Sequence, residues 1–247
     1  MNKAFCRKRI IFSSILTGCL ILFNLSCGLD TFYVIDGPTN TIHQPECTSI
    51  EYSENYFEFY TVDKDYDTIK FLGTDVYYKI YSSSSRLLSE AEDLQAIANK
   101  NDSSNAGADK MIQTYRFQPL RGAGHAGVNV LIPTGGSNER VYIRLSDYSN
   151  IYLSQITING ENIYGSSSRV IPVRNLPDKP SFNFKDLKAS NSALLPKGDD
   201  ADYNSSGSSS DSDFYVSMFA VAIGQDSNYS PIYSNILYLG SVRIPTE

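Results

Sequence analysis

The sequence predicts a mainly β protein with one helix. Three observations carry that expectation. Runs of aromatic and β-branched residues recur along the chain, the densest at Val76 to Tyr81, Phe214 to Ile223 and Ile232 to Ile244. Turn signals such as Gly135-Gly136 and Asn159-Gly160 separate them. Only one stretch, after Ser85, shows apolar spacing of helical period.

The chain opens with a targeting segment. Met1 to Arg9 is basic, and Ile10 to Phe23 is an apolar run of 14 residues. A membrane-spanning helix needs roughly 20, so the layout is that of a secretory signal. Phe23-Asn24-Leu25-Ser26 then precede Cys27. A cysteine at that place resembles a bacterial lipoprotein signal, with the looser cleavage box of spirochaetal lipoproteins. The resemblance implies removal of residues 1–26 and acylation of Cys27. Leu16-Thr17-Gly18-Cys19 offers an alternative box, but cutting there would leave Leu20 to Phe23 at the mature start and shorten the apolar run. Cys27-Gly28-Leu29-Asp30 makes a more polar start, and residues 27–47 then read as a tether.

Strand signals follow in order. Tyr56 to Val62, Ile69 to Phe71 and Thr74 to Tyr81 are rich in strand formers. Leu88, Ala91, Leu94 or Gln95, and Ala98 recur at helical spacing; Ser89 with Glu92 makes a capping box, which places the helix at about 89–99. Asn101 to Gly107 reads as a loop. Further strands are expected at 113–117, 128–132, 141–145, 151–158, 170–173 and 181–184. The tract 198–213, with its Ser/Gly run, reads as mobile. Phe214 to Ile223 and Ile232 to Ile244, bent near Gly240, close the chain.

Two of these segments carry a second resemblance. Phe214-x-Val216-x-Met218-x-Ala220 followed by Gly224 and Ser230 is similar to the last hairpin of a fibronectin type III domain. Phe57-x-Phe59 with Val76 to Tyr81 resembles its early strand pair. With the Cys-Gly-Leu-Asp start, the whole chain resembles treponemal lipoproteins of unknown function. The likeness leaves residues 82–212 unmatched. It implies a fibronectin type III/immunoglobulin-like sandwich, built first from 48–115 and closed by 175–247, with an inserted β segment at 116–174.

Charge agrees with that division. Without the signal the chain holds 17 basic and 27 acidic residues, net −10. Such acidity argues against a nucleic-acid partner, which selects a positive footprint. Residues 116–174 are the one basic block, six Arg against three acids. Alternation within Arg140 to Leu145 puts Arg140, Tyr142 and Arg144 on one face, and Val141, Ile143 and Leu145 on the other. The Arg face reads either as a patch for an acidic partner or as a solvated face that protects an edge. Tyr148, Tyr152 and Tyr164 nearby suit either recognition or packing.

Catalytic and metal motifs are weak. Gly122-Ala123-Gly124-His125-Ala126-Gly127 matches G-x-G-x-x-G, but a strand signal follows it where a dinucleotide site needs a helix. Asp63-x-Asp65-x-Asp67 lacks the Gly and Glu of a calcium loop. Asp199, Asp200 and Asp202, or Asp211 and Asp213, read as solvated acids, with loose calcium binding as the alternative. His43 and His125 stand far apart in sequence. Cys47 reads as a lone buried thiol, with a nucleophile paired to His125 as the alternative. No cofactor, metal or enzymatic role is expected. The function implied is a lipid-anchored cell-envelope protein, facing the surface or the periplasm, that binds a protein or glycan. A small-ligand or carbohydrate-binding lipoprotein, a periplasmic assembly factor and an unfamiliar hydrolase are the alternatives.

Overall fold

Two sheets share one core, and a helical layer covers the far face of the second. The computed structural model describes residues 33–49, 51–100, 105–188, 191–206 and 213–246. The signal segment, Cys19, Cys27, the first part of the expected tether and the Ser/Gly tract 207–212 lie outside the described residues. In chain order the strands used below are β1 (Thr41–His43), β2 (Phe57–Tyr60), β3 (Lys70–Tyr81), β4 (Arg140–Arg144), β5 (Gln155–Ile158), β6 (Glu161–Asn162), β7 (Tyr203–Asn204), β8 (Phe214–Gln225) and β9 (Pro231–Ile244). The helices are α1 (Ser84–Ala98) and the short α2 (Ala106–Asp109).

The first sheet has the order β1-β2-β4-β5-β6, antiparallel throughout. In the second, β3 pairs antiparallel with β8 and β8 with β9, while β7 joins β3 in parallel. Gln118–Pro119 and Ile132–Pro133 also pair with β3. Its second edge is thus closed by three short pieces, which leaves little bare backbone to template aggregation.

The long strands read as unbroken apolar runs because both of their faces are buried. Val76, Tyr78 and Ile80 pack with Val216, Met218 and Ala220 against Phe57, Phe59, Val141, Ile143 and Ile156 of the first sheet. Tyr77, Tyr81, Tyr215 and Phe219 turn the other way, onto Leu87, Ala91 and Leu94 of α1. Met218 lies opposite Gly240 but Phe219 lies opposite Tyr238, so Leu239 is a bulge. Gly240 has φ +113, and a Cβ there would meet the Pro45 carbonyl oxygen at 2.5 Å. That contact places the expected bend.

Several expectations are corrected. The helix begins at Ser84, capped by the Ser83 hydroxyl accepting from Arg86 N–H, and not at Ser89. Its buried stripe is Leu87, Glu90, Ala91, Leu94 and Ala98; Leu88 is exposed. Ser83→Ala is expected to lower stability by about 1 kcal/mol. Ser89→Ala should have no measurable effect in the same denaturant titration. Residues 110–114 form a π-helical turn, not a strand, closed by Arg116 in the left-handed region at φ 59. The strands expected at 128–132, 151–158 and 170–173 shrink to pieces of two to four residues. At 181–184 only Asn183 bridges, to Val173.

The inserted segment is not a separate β unit. β4 pairs with β2, residue by residue from Phe57–Ile143 to Tyr60–Arg140, and Val141, Ile143 and Leu145 complete the shared core. Residues 33–47 are not a free tether, since Ile35 and Cys47 are buried and β1 edges the first sheet. The polar tract is pinned over 198–204. Asp202 is buried, β7 adds to β3, and the Asp202 carbonyl accepts from Ile80 N–H.

Candidate functional site

The outer face of the first sheet carries the strongest site, and it contains the residues singled out by alternation. Arg140, Tyr142 and Arg144 do share the face opposite Val141 and Ile143. Register brings Glu58 and Thr157 to either side of Tyr142, Tyr60 beside Arg140, and Gln155 beside Arg144. Asn159 and Gly160, both with positive φ, form the Asn-Gly hairpin turn after β5. The Asn159 side chain accepts from Arg140 N–H at 3.0 Å and fixes the turn against β4. Glu58, Tyr60, Arg140, Tyr142, Gln155, Thr157, Asn159 and Gly160 line an open groove of about 530 Å³.

The charges of the face are internally paired. Arg140 Nε lies 2.7 Å from Glu58 Oε1, and this hydrogen bond holds the guanidinium above its ordinary pKa. Arg144 is only 4% exposed. Its Nε donates to the Tyr142 hydroxyl, and its other two nitrogens donate to the carbonyls of Tyr52 and Ser53. The guanidinium also lies over the rings of Tyr56 and Tyr152, 5.3 and 5.0 Å from their centroids. Arg144 is therefore a clamp that fixes Tyr142. It cannot also present a fork to an anion.

Aromatic rings brace the face from one end. His43 stacks on Tyr56 at 3.9 Å, and Tyr56 stacks on Tyr142 at 5.0 Å. His43 Nε2 pairs with the Glu54 carbonyl at 2.8 Å. His43 thus supports the ring stack. His125 packs instead against Tyr164 in a different part of the fold.

The basic block resolves into individual partners. Arg121 pairs with Asp75, Arg144 with backbone carbonyls, and Arg174 with Asp200 and Asp202; all three are buried. Half of the block's six arginines are thus buried supports and Arg140 pairs with Glu58, while Arg116 and Arg169 are exposed and do not line the groove. Tyr148 donates to the Arg243 carbonyl and Tyr164 to the Leu131 carbonyl, so both pack. Burial pushes the Tyr164 phenol up to about 12.

The remaining motifs are structural. Asp63 accepts from Thr134 and from the backbone of Gly135 and Gly136, which caps that turn. Among the described residues no group of three or more His, Cys, Asp or Glu could hold a metal ion. In the glycine motif, Gly122 sits under Val170 with no room for a Cβ, and Gly124 makes a turn with φ +79. No helix follows. Cys47 is buried and forms no disulfide among the described residues, and burial pushes its thiol up, away from the reactive thiolate.

Glu58, Tyr60, Gln155, Thr157 and Asn159 were not expected at the site. The alternation in Phe57-Glu58-Phe59 carried a signal for Glu58, since both phenylalanines are core residues. The pairing of β2 with β4 across some 80 intervening residues had no sequence signal. No family model, curated protein or solved structure matches the chain.

Proposed function

We propose that this is a lipid-anchored cell-envelope protein that works as a non-enzymatic binding module, through the outer face of its first sheet. The groove over Glu58, Arg140 and Tyr142 is the observation that carries this reading. It is open, it is polar, and its floor is fixed by the Arg144 clamp before any partner arrives. The lipoprotein-like start at Cys27 supports the anchor. An immunoglobulin or fibronectin type III relationship is supported by strand order. β1-β2-β4 follows the A-B-E sheet, and β3-β8-β9 the C-F-G sheet. The helical layer and the strand β5 after β4 are departures from that plan.

Two variants test the two halves. Cys27→Ala should release the protein from membranes, because a chain without acyl groups loses about 0.8 kcal/mol of membrane affinity per buried methylene. Membrane retention would refute acylation at Cys27. Arg140→Glu sets a second carboxylate beside Glu58 and should lower binding to envelope material at least tenfold, with circular dichroism unchanged. Undiminished binding would remove the groove as the site.

A further inference from the structure

We infer that the groove takes an uncharged oligosaccharide. This rests on the groove being the binding site, as proposed above, and adds the chemical class of its ligand.

The lining decides the class. Glu58 and Arg140 are joined at 2.7 Å, so the one formal cation of the groove is balanced by the one formal anion. An anionic ligand would have to compete with Glu58 for the guanidinium, and a cationic one with Arg140 for the carboxylate. A polyhydroxylated ligand competes with neither. Its hydroxyls both donate and accept, and the lining offers both functions. Glu58 accepts, Arg140 donates, and Gln155, Asn159 and Thr157 do either. The Arg140 side chain is about half exposed, so its terminal nitrogens can donate to sugar hydroxyls while Nε stays on Glu58.

The aromatic part fits the same ligand. Tyr60 is 44% exposed at the groove edge, so a ring is available to the C–H face of a sugar while its hydroxyl stays in water. Tyr142 is held in place by the stack on Tyr56 and the hydrogen bond from Arg144. No aliphatic side chain lines the groove. A nucleic acid selects net positive charge, which this groove lacks, and the fully buried centre of a protein interface is depleted in charge, whereas Glu58 and Arg140 stand together in this lining. Its volume of about 530 Å³ lies within the roughly 300–1,000 Å³ of small-ligand sites. Being open, it suits a segment of a longer glycan.

The test is calorimetric titration of the full chain with cellotetraose, maltotetraose and fully N-acetylated chitotetraose as neutral probes, and tetragalacturonate as an anionic probe of similar size. The expected result is saturable binding of at least one neutral probe. Tyr60→Ala and Gln155→Ala should each weaken it at least tenfold, and tetragalacturonate should bind at least tenfold more weakly. Both side chains are at the surface, so an unchanged urea midpoint will show that the variants fold. If no neutral probe binds while Arg140→Glu still abolishes binding to envelope material, the sugar class is wrong and the groove remains the site. If a neutral probe binds and neither variant weakens it, the sugar sits elsewhere and the inference that this groove takes it is refuted, whatever Arg140→Glu does to envelope binding. Tighter binding of tetragalacturonate would overturn the inference of an uncharged ligand.

Discussion

Replacing Arg174 by Met is expected to destabilise the protein by about 3–5 kcal/mol, the range for removing one partner of a buried ion pair. The Arg174 side chain is fully buried. Its Nε and Nη2 donate to the two oxygens of Asp202 at 2.8 and 2.7 Å, and Nη2 also reaches Asp200 at 2.8 Å. Asp202 further accepts from the Tyr78 hydroxyl, which in turn accepts from Asn175 N–H. The cluster ties residues 174–175 and 200–202 to the middle of β3. Without the guanidinium, Asp202 remains as an uncompensated buried charge. The thermal midpoint should fall by about 6–20 °C for a chain of this size. A loss below about 1 kcal/mol would mean that the site is wet and the pairing weak.

The same cluster sets an acid limit. Burial works to raise the Asp200 carboxyl, but Lys179, the Lys197 N–H and Arg174 outweigh it and hold the group below the ordinary carboxylate value. Its contribution is therefore complete above the unfolded pKa of about 3.9 and is lost as pH falls through the lower folded value.

Asp75→Ala is expected to cost a similar amount, about 3–5 kcal/mol. Asp75 is 1% exposed in β3 and receives both terminal nitrogens of Arg121, at 2.7 and 3.1 Å. It also accepts from the backbone of Val76 and Leu131. Truncation strands a buried guanidinium and removes the acceptor of the Leu131 amide. The double variant Asp75→Ala with Arg121→Met should recover a substantial part of the loss, because no charge is then left unpaired. Urea titrations of the two variants give the comparison. Equal stability of single and double variants would show that Arg121 is solvated without Asp75.

These two clusters show where sequence was informative and where it was not. Local signals held for the long strands, because a strand buried on both faces must be apolar at successive positions, as in Phe214 to Ile223. The Asn159-Gly160 turn and the alternation of Arg140 to Leu145 were legible for the same reason: one side chain's direction follows from its neighbours. The helix start was displaced by one turn and more, because Ser83 and Ser89 are equivalent as letters and only tertiary packing selects Leu87 over Leu88 as the buried residue. Short strands such as Ile132–Pro133 carry too few residues for a period to show.

Charge was the least legible property. A sum over 116–174 gives a basic block, but Arg121, Arg144 and Arg174 find partners at Asp75, at the carbonyls of Tyr52 and Ser53, and at Asp200 and Asp202. Each partner lies outside the block. Burial converts these cations from surface features into core supports, and only long-range pairing reveals which ones. The candidate site was half legible as a result. Arg140 and Tyr142 were placed on the correct face, whereas Glu58, which neutralises Arg140, came from a strand about 80 residues away.

A photo-crosslinking phenylalanine analogue placed at position 60 tests the groove most directly. The same substitution at Tyr229, 79% exposed in the β8–β9 hairpin, serves as the reference. Irradiation of intact cells carrying the full chain should give adducts with envelope macromolecules from position 60, and these should vanish when Arg140→Glu is added. Adducts from position 229 at equal or greater yield, or adducts from position 60 that survive Arg140→Glu, would contradict assignment of binding to the outer face of the first sheet.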